Sequence, residues 1–190
     1  MKQESNAAYI LRLTVTLLVI CAVVALALAG VNAITSPLIA ASKEAKTQEA
    51  IATVLPGCTA VEEISFTDTS GMVTKVYRAD MTNTFGFGYA VEVAPNGFGG
   101  AVTMIVGITP EGKVVGISII SHAETPGLGA VAAANTDKGV SFRDQFAGLV
   151  SGITIGDGDN QISAISGATI SSQAIVDGVN AALECVKKLG

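Results

Sequence analysis

Residues 99–120 read GGAVTMIVGITPEGKVVGISII, which is two apolar runs separated by a short polar segment. Valine and isoleucine are frequent in both runs, as is typical of β-strands. The intervening Pro110-Glu111-Gly112 consists of residues that favour a tight turn. The stretch therefore predicts a β-hairpin of two antiparallel strands.

Earlier parts of the chain also contain short apolar or alternating segments separated by turn signals, among them Asn96-Gly97. No helical segment lies between them, which argues against a doubly wound parallel sheet and favours an antiparallel one. The five predicted strands are Ala60–Phe66, Val73–Ala79, Gly88–Ala94, Gly99–Ile108 and Lys113–Ile120.

The chain after the fifth strand changes to loops and helices. Residues 141–150 place Phe142, Phe146 and Leu149 at helical spacing. A last helix is predicted from about Ser171 to Leu189, and the apolar stripe expected to be buried is Ile175, Val179, Ala182 and Val186. The predicted fold class is α+β, with an antiparallel sheet and flanking helices.

The N-terminal region carries a long apolar segment. No charged residue lies between Arg12 and Lys43, and residues 13–34 suffice to cross a bilayer, which takes about 20 apolar residues. Ala27-Leu28-Ala29 resembles the cleavage site of a signal peptide, but the apolar region of such a peptide usually spans only about 7 to 15 residues. We therefore predict an uncleaved transmembrane helix.

Four regions are predicted along the chain: a cytoplasmic N-terminus (1–12), a transmembrane helix (13–34), a stalk helix (35–57) and a globular domain (58–190). The stalk ends at Pro56-Gly57, a helix stop. Basic residues favour the cytoplasmic side, and Arg12 borders the span more closely than Lys43 does. We expect a single-pass protein of the plasma membrane with its domain on the extracytoplasmic side.

Composition argues against several classes of function. The chain has 16 acidic and 11 basic residues, whereas nucleic-acid-binding domains carry basic patches. One histidine, and three cysteines without a CxxC pair, argue against a zinc site, an iron–sulfur cluster or a catalytic triad. Cys21 lies in the predicted span, and the sequence leaves open whether Cys58 and Cys185 form a disulfide. No catalytic or metal-binding residue is predicted.

Two motifs could bind a ligand, and the first is SGATISS at residues 166–172. Hydroxyl side chains before a helix commonly cap its free N–H groups, so Ser171 or Ser172 could cap the last helix. The N-terminus of a helix also binds anions, and Gly167 would let a phosphate approach. The chain contains neither GxxxxGK[ST] nor GxGxxG, the usual nucleotide-binding loops. Capping and anion binding both remain open on these residues alone.

The second motif, HAETPGLG at residues 122–129, follows the fifth predicted strand. Pro126, Gly127 and Gly129 favour a surface turn, but the glycines would also let backbone amides approach a ligand beside the lone carboxylate of Glu124. A single histidine without partners indicates a polar loop residue rather than a catalytic one.

Three motifs in order, ETPGLG (124–129), FRDQF (142–146) and SGATISS (166–172), resemble the FMN-binding domain of the G subunit of Rnf ion-translocating electron-transport complexes. The C subunit of the sodium-pumping NADH:quinone oxidoreductase is similar in layout. The resemblance covers nearly the whole chain, from the N-terminal span through the stalk and the strands with GFGG (97–100) to the last helix.

The resemblance implies FMN esterified through its phosphate to the hydroxyl of Thr169 by a separate flavin transferase. Ser171 is the alternative acceptor, and Glu124 and Thr125 are the implied side-chain contacts. The family's motif commonly carries an Asp three residues before the Ser of SGAT, where this chain has Ser163. The implied cofactor-binding residues are Thr169, Ser166, Gly167, Ala168, Ser171, Glu124, Thr125, Gly127, Leu128 and Gly129.

By the same resemblance, the chain would relay electrons through covalent FMN in a ferredoxin:NAD⁺ oxidoreductase coupled to Na⁺ or H⁺ movement. Its partners would be the other membrane subunits of the complex. The flavin would carry the chemistry, so no acid or base of the chain need act. The alternatives are a stand-alone flavinylated electron-transfer protein, a sodium-pump C subunit and, from a different class, a pilin-like structural protein.

Overall fold

The computed structural model describes residues 6–81 and 86–189, apart from the side chains of residues 6–8. The first five residues of the predicted cytoplasmic N-terminus therefore lie outside the described residues. The chain divides into two compact units, Met1–Glu44 and Ala45–Gly190.

The first unit consists of the N-terminal part of helix α1, which begins at Asn6 and ends at Val54. This helix is long and apolar enough to cross a membrane, and its apolar side chains over residues 13–34 are exposed. Such exposure is expected where lipid covers the side chains. The predicted span and most of the predicted stalk fall within this one helix, which contains Pro37.

The second unit is built around a five-stranded sheet in which the strand order follows the chain order. All neighbouring strands are antiparallel, which confirms the predicted sheet. The predicted turn at Pro110-Glu111-Gly112 is closed by hydrogen bonds between Thr109 and Lys113 and between Gly112 and Thr109. The strands are β1 (Cys58–Ile64), β2 (Val73–Met81), β3 (Phe87–Val93), β4 (Thr103–Ile108) and β5 (Val114–Ser121).

The GFGG segment (97–100) is a loop, whereas the sequence predicted that β4 would begin at Gly99. A bridge between Asn96 and Ala101 closes this loop, and the Gly97 N–H donates to the Gly100 carbonyl at 2.8 Å. A Cβ atom on Gly99 would overlap the carbonyl of Ala123. The glycines therefore do not extend the strand. They let the GFGG loop lie against the chain just after β5.

An apolar core lies on each face of the sheet, because successive strand residues point to opposite faces. Residues 45–54 of α1 belong to this compact unit, whereas the sequence predicted that the domain would start at residue 58. One face, with Val91, Met104 and Val106, packs against the C-terminal helix. The other face packs against the end of α1, with a core of Ala50, Ile51, Val54, Leu55, Tyr77, Ala79, Met81, Ala90 and Ile105.

The rest of the unit follows β5. It consists of a 3₁₀ helix (Gly129–Ala133), α2 (Asp137–Asp144), a small parallel pair of β6 (Thr154–Ile155) and β7 (Gln161–Ile162), and α3 (Thr169–Lys187). Helix α3 begins at Thr169 and ends at Lys187, rather than at the predicted Ser171 and Leu189. Its predicted buried stripe is confirmed. The two-residue strands β6 and β7 were not predicted.

The two cysteines of this unit lie on opposite faces of the sheet. Cys58 packs at the margin of the core beside α1, and Cys185 belongs to the core beside α3. Both thiols are free. Burial raises the pKa of the Cys185 thiol above its usual value.

Candidate functional site

A cavity of about 360 Å³ brings the two predicted motifs together. It lies between the ETPGLG loop (124–129) and the first turn of α3. Ser166 and Gly127 instead line a neighbouring cavity on the side of α2. Two cavity residues, Phe98 and Ile170, were not predicted. The predicted residues that line the cavity are Glu124, Thr125, Leu128, Gly129, Gly167, Ala168, Thr169 and Ser171.

The N-terminus of α3 opens into this cavity. The helix begins at Thr169, whose side chain is exposed, and Ala168 is its N-cap residue. No side chain of the described residues caps this end, so the prediction that Ser171 or Ser172 caps the helix is wrong. The first N–H groups of a helix have no partner within it and lie at the positive end of its dipole. This end of α3 is therefore suited to an anion.

Ser172 is buried and shapes the turn before the helix. Its hydroxyl accepts a hydrogen bond from the Ile165 N–H and donates one to the Ala168 carbonyl, both at 3.0 Å. Gly167, between them, has a φ of 77°, a conformation that favours glycine. The predicted capping hydroxyl thus stabilises the SGAT turn, which leads the chain into α3.

Glu124 lies on the floor of the cavity and is 7% exposed. Its Oε1 accepts a hydrogen bond from the Gly99 N–H at 3.0 Å, and its Oε2 accepts one from the Ser171 hydroxyl at 2.5 Å. Ser171 is 2% exposed. Hydrogen bonds to a carboxylate are short and stronger than neutral ones. One side chain therefore connects the GFGG loop, the ETPGLG loop and α3.

Gly129 leaves room for this arrangement. A Cβ atom there would overlap both the Glu124 carboxylate and the Ser171 hydroxyl. The preceding turn is held by the Thr125 carbonyl, which accepts from the N–H groups of Leu128 and Ala130. In this structure the space that glycine provides at position 129 is thus occupied by the chain's own polar groups.

Three large apolar side chains surround the cavity and are exposed to solvent. Phe98 is 70% exposed, Leu128 43% and Ile170 59%. Each comes from a different segment, namely the GFGG loop, the ETPGLG loop and α3. Exposed apolar side chains grouped around a cavity commonly mark a binding site. Phe98 could have been recognised as a candidate binding residue in the sequence, because it is an aromatic residue between two glycines.

Ser163, which stands where the family's motif commonly has Asp, lies beside a carboxylate. Its hydroxyl donates a hydrogen bond to Asp157 Oδ1 at 3.2 Å. Its backbone pairs with the side-chain amide of Gln145. An acidic group is therefore present next to this position, supplied by the β6–β7 connection.

The one histidine takes part in a local bond. Its Nδ1 atom accepts from the Glu124 N–H at 3.2 Å, and the His122 side chain is exposed. Among residues 6–81 and 86–189, no group of three or more His, Cys, Asp or Glu side chains could hold a metal ion.

Comparison with known proteins identifies relatives over nearly the full length of the chain. It is 33% identical over 186 residues to the G subunit of the proton-translocating ferredoxin:NAD(+) oxidoreductase complex of Clostridium ljungdahlii, a match that covers 98% of this chain and 96% of that protein. It is 33% identical over 199 residues to the G subunit of the Na(+)-translocating ferredoxin:NAD(+) oxidoreductase complex of Acetobacterium woodii, covering 95% and 93%. It is 31% identical over 187 residues to the G subunit of the ion-translocating oxidoreductase complex of Methanosarcina acetivorans, covering 96% and 97%.

Two further matches concern the domain. The crystal structure of the C subunit of the Na(+)-translocating NADH-quinone reductase from Parabacteroides distasonis aligns with 65% of this chain and 73% of that chain, with a TM-score of 0.48 and 15% identity. Residues 97–184, which include both motifs of the cavity, match the family model described as FMN-binding domain. With relatives of about one-third identity over almost the whole sequence, the chain belongs to the family of G subunits of ion-translocating oxidoreductase complexes.

Proposed function

We propose that this chain is the membrane-anchored G subunit of an Rnf-type ferredoxin:NAD⁺ oxidoreductase and relays electrons through FMN bound at the cavity. The observation that carries the proposal is that two separate motifs of the FMN-binding domain meet at one cavity, at the N-terminus of α3. Nearly full-length relatives named as G subunits of such complexes support it.

The residues of the cavity fit FMN. The cavity has a volume of about 360 Å³, which lies within the range of small-molecule sites, roughly 300 to 1,000 Å³. The exposed apolar groups of Phe98, Leu128 and Ile170 suit a flat aromatic ring system. The free amides at the start of α3 suit a phosphate group.

We further propose that the phosphate is esterified to the Thr169 hydroxyl by a flavin transferase. The other hydroxyls of the motif are less suitable. Ser171 and Ser172 are buried and hydrogen-bonded, and Ser166 lines the neighbouring cavity. The Thr169 side chain is exposed, lines the cavity and stands in the first turn of α3.

FMN would supply one- and two-electron transfer, and the chain would bind it, orient it and exclude solvent from one side. Electron flow through the complex would be coupled to Na⁺ or H⁺ movement by the other membrane subunits. A covalent bond would keep the cofactor attached through repeated oxidation and reduction. No proton donor or acceptor of the chain is required for this relay.

The proposed attachment can be tested on the full-length protein coexpressed with a flavin transferase. We expect a band that fluoresces under ultraviolet light on a denaturing gel, and an intact mass increased by FMN less one water. Thr169→Ala should abolish both signals, whereas the matched variant Ser166→Ala should keep them. A dark wild-type band in a host that flavinylates a known substrate would contradict the proposal, and a fluorescent Thr169→Ala band would move the attachment point.

We also propose that the domain faces the extracytoplasmic side, because Arg12 adjoins the span at its N-terminal end. A cysteine introduced at the exposed Asp159, in a Cys58→Ser background, should react with a membrane-impermeant maleimide in intact cells. Labelling that requires cell lysis would place the domain in the cytoplasm instead.

A further inference from the structure

We propose that Glu124 is the positioning residue of the FMN site: its buried carboxylate fixes the GFGG loop and the first turn of α3 relative to each other, so that Thr169 is presented for attachment. The inference rests on the proposed function of this cavity. It assigns to Glu124 a role other than direct contact with the flavin.

Glu124 lies between segments that are far apart in the sequence. Gly99 precedes it by 25 residues and Ser171 follows it by 47. Each of its two carboxylate oxygens accepts from one of these segments. Its backbone N–H donates to His122 within the same loop. The side chain thus links all three cavity-lining segments at a single point.

The packing around Glu124 leaves little freedom for another arrangement. Cβ atoms on Gly97 and Gly129 would both overlap its carboxylate, so the chain lies against it from two sides. Side chains locked by packing and hydrogen bonds hold a functional group more accurately than a loop alone. Thr169 lies one half-turn of helix before Ser171, the residue that Glu124 holds. Holding Ser171 therefore holds the backbone of the helical turn that carries Thr169.

The same contact removes a competing hydroxyl. The Ser171 hydroxyl is buried and donates its proton to Glu124 Oε2, so it is not free to react with a phosphate group. Thr169 is exposed, and the hydrogen bonds of Glu124 go to Gly99, Ser171 and His122 rather than to Thr169. Glu124 thereby favours attachment at Thr169 over Ser171.

Two substitutions at Glu124 distinguish the effect of its hydrogen bonds from the effect of its side-chain size. In Glu124→Gln, the amide oxygen can accept from the Gly99 N–H while the NH₂ group donates to the Ser171 oxygen, so both links can persist. In Glu124→Leu, a side chain of similar size makes neither bond. Glu111→Leu, in the exposed turn between β4 and β5, is the matched control.

Two measurements on the full-length protein test the proposal. The first is the initial rate of FMN attachment by a flavin transferase, followed by intact mass. We expect Glu124→Leu to slow it about tenfold or more and Glu124→Gln about threefold or less, with Glu111→Leu unchanged. The second is amide hydrogen exchange of the flavin-free protein, which does not depend on FMN. Glu124→Leu should speed exchange in both residues 97–100 and residues 168–172.

Ser171→Ala gives an independent test, because it removes one link and keeps Glu124. We expect faster exchange in residues 168–172 and unchanged exchange in residues 97–100. Three results would each overturn the positioning role. The first is a wild-type attachment rate in Glu124→Leu, and the second is an equal loss of rate in Glu124→Gln and Glu124→Leu. The third is hydrogen exchange in Ser171→Ala that matches the wild type. A wild-type protein that accepts no FMN would refute the proposed function instead, and the exchange data would still decide whether Glu124 links the segments.

Discussion

Gln145 and Ser163 form a reciprocal pair between a side chain and a main chain. The Ser163 N–H donates to Gln145 Oε1 at 2.7 Å, and Gln145 Nε2 donates to the Ser163 carbonyl at 3.3 Å. Gln145 follows directly after the last residue of α2, so this pair attaches the segment before the SGAT turn to α2. Both residues also line the neighbouring cavity on the side of α2.

Gln145→Ala should therefore destabilise the domain and slow FMN attachment. Each hydrogen bond contributes about 1 kcal/mol, so we expect a loss of about 1–2 kcal/mol in the free energy of unfolding. Urea unfolding of the full-length protein measures it. Gln173→Ala, which removes an exposed bond to Asp177 within α3, is the control and should cost less. An equal decrease in the free energy of unfolding in both variants would show that the pair with Ser163 stabilises the domain no more than an exposed hydrogen bond does.

Gly129→Ala should impair the site more than its single added methyl group suggests. The new Cβ atom would overlap the Glu124 carboxylate and the Ser171 hydroxyl, which must then separate. Overpacking of this kind typically costs about 1–3 kcal/mol. Fluorescence of the denatured band and the melting temperature should both fall. Gly116→Ala, where a Cβ would meet nothing within 4 Å, should leave both nearly unchanged.

Asp157→Asn should slow FMN attachment without unfolding the domain. The reason is that Asp157 places a carboxylate beside Ser163, where the family's motif commonly supplies one. Asp159→Asn changes the charge of the same turn equally but lies outside this contact, so it is the matched control. We expect a several-fold slower rate for the first variant only, measured by intact mass against time. If both variants slow attachment to the same extent, the general charge of the turn is responsible.

The stability of the domain should depend on pH through Asp68. Burial alone would raise the pKa of this carboxyl, but hydrogen bonds from the Ser70 N–H, the Ser70 hydroxyl and the Val73 N–H hold it below its usual value. A carboxyl whose pKa is lowered by folding stabilises the protein above its unfolded pKa of about 3.9, and this contribution is lost as the pH falls through the folded value.

Asp68→Asn should accordingly lower the melting temperature at pH 7, and the difference from the wild type should shrink towards pH 3. Asp144→Asn, at an exposed position, serves as the control. A difference between Asp68→Asn and the wild type that stays constant from pH 7 to pH 3 would show that the ionised carboxylate is not the source of the effect.

The sheet could be predicted from the sequence, because each strand and turn is indicated by the residues within it. Alternation, as in Ala90 and Val91, places residues on two faces, and Pro110-Glu111-Gly112 fixes one turn locally. The boundaries of α3 were less predictable, because a threonine and an isoleucine are compatible with either a loop or the first turn of a helix. The strands β6 and β7 contain two residues each, too few to show any periodicity.

The arrangement of the site depends on tertiary contacts that no local pattern reveals. The motifs identified the ETPGLG loop and Thr169, but not which hydroxyl would be buried. Only the fold shows that Ser171 contacts Glu124 and that Ser172 contacts Ile165. Phe98 was overlooked because its contribution to the cavity depends on the GFGG loop folding against the chain after β5.

The sequential strand order also dictates when the site can form. Every strand of the sheet pairs with its neighbour in the chain, so each hairpin can close as soon as its second strand has been synthesised. Helix α3, by contrast, is the last element to appear, yet it supplies Thr169 and covers one face of the sheet. A chain truncated before α3 would lack both Thr169, the proposed acceptor, and the apolar residues that cover this face of the sheet. The proposed flavin attachment would thus require that α3 has been synthesised and packed against a sheet whose strands had already paired.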